Sequence, residues 1–313
     1  MPVRYAACVV TAAKEAELVG ANRPNRSRSR VVGRVLGLGA MGAALVAVLS
    51  GCVRTVGEVF GGFGWPEVGI SDQSAQMYDL WVGAVITALV VGGLVWGLIF
   101  WCIIRYRKRG DELPAQTRFN LPMEVLYTLT PFLVIAVLFY YTVTVQTDAD
   151  YLSPDPDVTV EVTAFKWNWQ FGYQRDGETV ASTTGTTEEI PVLVVPTGQT
   201  VQFLLHSNDV IHAFWVPELL FKRDVFPGPQ LQTRFEITIP EGNQGAYVGR
   251  CAELCGIYHS MMNFEMRVVS PQDYAAYVAA LEDGLSQADA LLSIGQEPYA
   301  ITTEPFTQRL AQG

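Results

Sequence analysis

Histidine is scarce in this chain, three in 313 residues, and cysteine is almost as rare, with five. No Cys-x-x-Cys-His occurs, which excludes a covalently attached haem c. Charge is thin as well: 17% of residues are charged, and 31 acids against 21 bases leave a net −10. That acidic balance argues against nucleic acid as a partner. With half of its residues hydrophobic and a mean hydropathy of +0.21, the chain is too apolar for one ordinary soluble domain.

The apolar excess is local. Leu80–Ile104 and Val125–Val145 carry no charge, and each approaches or exceeds the ~20 residues that cross ~30 Å of hydrocarbon. A transmembrane hairpin over 80–145 is predicted. Its linking segment, 105–122, carries Arg105, Arg107, Lys108, Arg109 and Arg118, and short loops rich in bases stay in the cytoplasm. The flank 52–79 and everything after the second span are then extracytoplasmic. Tyr78 and Trp81 at one end of the first span, Trp101 and Tyr106 at the other, suit interfacial anchoring. Residues 1–51 read as a secretory leader: arginines at 23, 26, 28, 30 and 34 precede the apolar run Val35–Gly51, and Leu49-Ser50-Gly51-Cys52 sets small residues before a cysteine. That end resembles the lipobox of bacterial lipoproteins, which implies a lipid on Cys52 and a membrane-lipid contact. A plain signal, or an uncleaved third helix, fits the same residues. The expected location is a bacterial plasma membrane, multi-pass, with the C-terminal part outside.

From Asp148 to the end, 22 acids face 8 bases, a field that favours a basic partner. Residues 148–270 hold short runs rich in Val, Thr, Phe and Trp between Gly, Pro, Asp and Asn: Val158–Tyr173, Ile190–Val195, Thr200–His206, Thr233–Ile239, Gly245–Val248 and Phe264–Val269. Regularly spaced strands with turn signals predict an all-β sandwich or barrel. Within the first run Phe165, Trp167, Trp169, Phe171 and Tyr173 alternate with Lys166, Asn168, Gln170 and Gly172, giving one aromatic face whose rings should mostly be core. In the last part, 271–313, helical spacing over Pro271–Leu292 predicts one helix and a loose tail.

The chemistry is concentrated in Cys251-Ala-Glu-Leu-Cys255-Gly-Ile-Tyr-His259-Ser-Met-Met262. Thiolates and a thioether are soft ligands that select copper, and imidazole completes such sets. One Cys with two His and a Met would make a mononuclear site; a second Cys lets two thiolates bridge two ions. His212 lies 39 residues upstream of Cys251, where a β domain can return it to the loop. His206 is assigned a structural role. A disulfide between Cys251 and Cys255 and a structural zinc site compete with copper, but neither uses Met262.

The string CAELCGIYHSMM resembles the Cys-Ser-Glu-x-Cys-Gly-x-x-His-Ser-x-Met signature of cytochrome c oxidase subunit II. Asp209-Val-Ile-His212 and Lys222-Arg-Asp-Val-Phe-Pro-Gly228 resemble its neighbouring segments. The likeness spans roughly Leu80 to Val269 and implies a membrane-anchored, two-helix hairpin followed by a cupredoxin-like sandwich. It implies two copper ions in a Cu-A centre held by His212, Cys251, Cys255, His259, Met262 and the Glu253 carbonyl, with the Glu253 carboxylate reaching a magnesium ion shared with subunit I. It further implies that Trp167 takes the electron from cytochrome c, or from a cytochrome domain of a supercomplex. Asn168 departs from the aromatic usual at its position. Glu124, in Glu-Val-Leu-Tyr-Thr-Leu-Thr-Pro131, matches a residue at a proton-channel entrance of subunit I. With three histidines this chain cannot build the oxygen-reducing site, which belongs to that partner. A membrane-anchored copper carrier without enzymatic activity is the competing reading.

Overall fold

The computed structural model describes residues 68–113, 115–228 and 232–305. The expected leader, 1–51, and Cys52 lie outside them.

The first helix, α1 (Asp72–Arg105), starts eight residues before the predicted span. Ser71 caps it: its hydroxyl accepts the Ser74 amide at 3.1 Å while Ser74 Oγ accepts the Ser71 amide at 2.8 Å, a reciprocal pair that satisfies two otherwise orphaned donors. At 1.5 Å per residue α1 is about 51 Å long, well beyond a bilayer core. Its first turns serve the sandwich instead. The Ile70 amide donates to the Glu218 carbonyl at 3.0 Å, Asn243 Nδ2 to the Ile70 carbonyl at 3.1 Å, and the Thr238 amide to Gln73 Oε1 at 3.2 Å; Tyr78 and Val82 are buried.

Helix α2 (Leu121–Ala149) is capped by Asn120, with Pro122 in its first turn. Both helices are long and apolar enough to cross a membrane, and the side chains of their most apolar stretches are almost wholly uncovered by the rest of the protein. Hydroxyls of Thr142, Thr144 and Thr147 donate to carbonyls four residues back, so these polar groups cost little in an apolar setting. Beyond α2, the Ser153 amide donates to the buried Glu236 carboxylate at 2.9 Å, and Arg223 pairs with Asp150.

The domain that follows is a sandwich of two five-stranded sheets. One runs β3 (Glu178–Thr184), β2 (Asn168–Arg175), β1 (Val158–Phe165), β5 (Thr200–Ser207), β8 (Thr233–Thr238); the other β4 (Val192–Pro196), β10 (Asn263–Val269), β9 (Gly245–Cys251), β6 (His212–Val216), β7 (Phe221–Val225). Strands β3, β6 and β7 have no counterpart among the predicted runs. The pairs β1–β5 and β4–β10 are parallel, the rest antiparallel. Phenylalanines from both sheets meet between them: Phe203 stacks on Phe235 and Phe214 on Phe264, each at 4.8 Å.

Two expectations need correction. The run 158–173 is a hairpin rather than one strand: the chain turns at Lys166–Trp167, pairing Phe165 with Asn168 and Ala164 with Trp169. Val158, Val160, Val162 and Ala164 therefore share the core face with Trp169, Phe171 and Tyr173, while Phe165 faces outward and Trp167 sits on the turn. The C-terminal helix is also two helices, α3 (Pro271–Glu282) and α4 (Gln287–Ser293), each opened by a serine cap. Gly284, at φ +88°, separates them in a backbone region that other residues rarely occupy.

Candidate metal centre

Strand order explains how distant residues meet. Strand β6 lies beside β9 and places Phe214 opposite Cys251, so His212 at the start of β6 comes within reach of the end of β9. The loop from Cys251 to Met262 is pinned at both ends: the Cys251 amide donates to the Met262 carbonyl at 3.1 Å, and the Ala252 amide to the Ala213 carbonyl at 3.0 Å. Trp169 Nε1 also donates to the Met262 carbonyl, at 3.3 Å. Gly256, at φ +131°, turns the loop between the second cysteine and the histidine.

Five side chains converge there. Cys251 Sγ lies 3.8 Å from Cys255 Sγ and 3.7 Å from His212 Nδ1. Cys255 Sγ lies 3.6 Å from His259 Nδ1 and 3.8 Å from Met262 Sδ. The Glu253 carbonyl oxygen is 3.3 Å from Cys251 Sγ, while the Glu253 side chain is exposed. Each thiol thus has one imidazole and one weaker donor beside it, and the two thiols face each other.

The donors suit a soft metal. Both cysteines are free, and their separation is far beyond the ~2.05 Å of a disulfide. His212, Cys251 and Cys255 form a group that could hold an ion by themselves. A thioether beside a thiolate is foreign to zinc sites and familiar to copper ones. Burial, and next the neighbouring Cys251, pushes the Cys255 thiol up to about 12; a metal ion would replace the proton that burial retains.

His212 is completely buried. Burial lowers its pKa, against the opposing pull of Asp209, so the imidazole is neutral, as a metal ligand must be. Its Nε2 lies 2.8 Å from Asp209 Oδ1, which fixes the proton on Nε2 and leaves the Nδ1 lone pair facing Cys251. Burial disfavours the Asp209 carboxylate, but hydrogen bonds from His212 and from the Lys166 and Val210 amides outweigh it and lower its pKa. Asp209 was not singled out as a site residue in the sequence. Its signal is the spacing Asp-x-x-His in a turn, which lets a carboxylate curl back onto the imidazole.

Other predicted positions fall as follows. His206 is half-buried on β5, opposite Thr163, and is not in the metal group. Trp167 packs edge-on against Tyr258 with centroids 4.9 Å apart, and a Cβ on Gly256 would sit 3.2 Å from its indole. The hairpin turn therefore rests on the metal loop itself. Glu124 Oε1 accepts the Asn120 amide at 2.9 Å, which gives that carboxylate a helix-capping task.

Residues 158–269 match the family described as cytochrome C oxidase subunit II, periplasmic domain. A probable cytochrome c oxidase subunit 2 of Nocardia farcinica is 42% identical, over 95% of this chain and 94% of the relative. The chain belongs to the cytochrome c oxidase subunit 2 family. A cytochrome c oxidase subunit 2 of Mycobacterium bovis is 43% identical, over 88% of this chain and 90% of its own length. Among solved structures, the periplasmic domain of subunit II of cytochrome oxidase (CoxB) of Bradyrhizobium japonicum is 26% identical, with 42% of this chain and 98% of that one covered and a TM-score of 0.37. Membership in the subunit 2 family makes this chain a membrane-anchored oxidase component, with its copper domain outside the membrane.

Proposed function

We propose that the chain accepts single electrons from a c-type cytochrome at a two-copper centre and passes them to haem in a partner subunit, where oxygen is reduced to water and protons are translocated. The observation that carries the reading is the pairing around the two thiols, each with its own imidazole at 3.6 to 3.7 Å. Two facing thiols with one histidine apiece would suit two ions better than one. When bound, the copper pair supplies a one-electron store.

The protein's own residues have separate tasks. Cys251, Cys255, His212 and His259 would hold the copper, with Met262 and the Glu253 carbonyl as the weaker donors. Asp209 orients His212. Trp167, resting on Gly256 and Tyr258, is the proposed electron acceptor from the cytochrome. The exposed Glu253 carboxylate is free of the copper set and available to a magnesium ion at a subunit boundary. Glu124 sits at the N-terminus of α2, where a carboxyl could also open a proton path. The two helices would form a hairpin whose basic loop stays in the cytoplasm, and Cys52 would carry a lipid.

The test is electron paramagnetic resonance of the copper-loaded full chain in detergent. The expected signal shows hyperfine structure from one electron shared over two coppers, with two coppers per chain. A mononuclear pattern, or tight binding of zinc in preference to copper, overturns the reading.

A further inference from the structure

The C-terminal segment, which lies beyond the matched periplasmic domain at 158–269, runs back along strand β10 and meets it through three alternate side chains. Asn263 Nδ2 donates to Thr303 Oγ1 at 2.9 Å. Glu265, fully buried, accepts through Oε2 the amides of Ile301 and Thr302 at 2.7 and 2.8 Å and the Thr302 hydroxyl at 2.8 Å. Arg267, equally buried, pairs with Glu265 Oε1 and donates to the carbonyls of Glu297 and Tyr299 at 3.1 and 3.2 Å. An outer sheet face with this composition would ordinarily be solvated. Here Glu265 and Arg267 satisfy each other on one side and take backbone groups of the segment on the other, 30 to 37 residues away in sequence.

Resting on the copper reading above, we propose that residues 297–303 are a positioning strap for the metal loop, acting through Asn263 on Met262. Asn263 is the first residue of β10 and follows Met262 directly. Met262 is the corner of the site: its sulfur lies 3.8 Å from Cys255 Sγ, and its carbonyl accepts both the Cys251 amide and Trp169 Nε1. Asn263 also lines, with Trp167, Ile190 and Met261, a cavity of about 340 Å³ under the hairpin turn. Slack at Asn263 would therefore be felt at the weak sulfur donor and beneath the indole together. The buried Glu265–Arg267 pair supplies the anchorage, since a buried ion pair tolerates loss of its hydrogen-bonding surroundings poorly. Thr303 is the link between anchorage and site.

The test uses the full chain in detergent with two readouts. In the copper-free protein, alkylation of Cys251 and Cys255 is followed by mass spectrometry of their peptide; both thiols are buried, so labelling reports opening of the loop. In the copper-loaded protein, the paramagnetic hyperfine pattern reports the ligand set. Thr303→Val keeps the volume but removes the acceptor, and should speed labelling roughly five-fold, the open fraction expected from losing one neutral hydrogen bond, and alter the hyperfine pattern. Thr303→Ser keeps the hydroxyl and should restore both. Wild-type labelling and an unchanged spectrum in Thr303→Val overturn the strap. A wild-type chain that takes up no copper overturns the copper reading instead, and faster labelling of Thr303→Val would still stand for the strap.

Discussion

Asp209 touches His212 and, through its other carboxylate oxygen, the backbone of Lys166: Oδ1 lies 2.8 Å from His212 Nε2 and Oδ2 accepts the Lys166 amide at 2.7 Å. One side chain thus ties the proposed copper ligand to the turn that carries Trp167. Asp209→Asn cannot accept on both sides, since an NH2 group that only donates replaces one of the two oxygens. Copper affinity should fall about 10- to 100-fold, the usual cost of losing a carboxylate behind a ligating histidine. Competition against a chelator of known affinity measures it, and wild-type affinity in the variant would remove Asp209 from the centre.

Gly256 is the close neighbour of Trp167. An alanine there meets both an unfavourable φ of +131° and an indole 3.2 Å from its Cβ; the backbone part alone costs about 1–3 kcal/mol. Gly256→Ala should move the indole and slow reduction by cytochrome in stopped flow, with two coppers still bound. Trp167→Phe should slow the same step and leave the paramagnetic spectrum unchanged. Equal rates in wild type and Trp167→Phe would place electron acceptance elsewhere.

Copper uptake should release protons. With its pKa raised to about 12 by burial and by Cys251, the Cys255 thiol is protonated at neutral pH in the metal-free chain and must be a thiolate in the loaded one. The sign follows: apparent affinity rises with pH, because fewer protons compete for the sulfur. Calorimetric titrations in buffers of different ionisation enthalpy count the protons, and a heat independent of buffer would contradict the thiolate assignment.

Much of this arrangement was readable in the residues. The loop from Cys251 to Met262 is contiguous, so its ligands are close by covalent geometry, and His212 was found because so few histidines compete with it. The hairpin at Lys166–Trp167 was hidden by its own regularity. Alternation runs unbroken through Phe165–Tyr173, and the available clue is that apolar positions are even-numbered from Val158 to Ala164 and odd-numbered from Trp169 to Tyr173, a flip that requires a turn or a bulge between them. Helical spacing likewise ran through Gly284, whose left-handed conformation ends α3. The strap was not legible at all, because hydrogen bonds from backbone amides to Glu265 leave no residue pattern behind.

Gly249 sets the packing between β9 and β10. A Cβ there would lie 2.2 Å from the Phe264 ring, with Phe264 held between Trp169 and Phe214. Gly249→Ala should destabilise the sandwich by about 1–3 kcal/mol through overpacking, seen as a lower Tm. An unchanged Tm would mean that the aromatic core has slack.

The sandwich is moored twice, at the start of α1 by Ile70, Gln73 and Asn243 and just past the end of α2 by Ser153 with Glu236. A domain held at a single point could pivot, and electron tunnelling falls off so steeply with distance that a small swing would interrupt transfer. With one mooring at the start of α1 and one just past the end of α2, the proposed copper loop would be a fixed terminal and not a tethered carrier, its gap to the next redox group set when the subunits assemble.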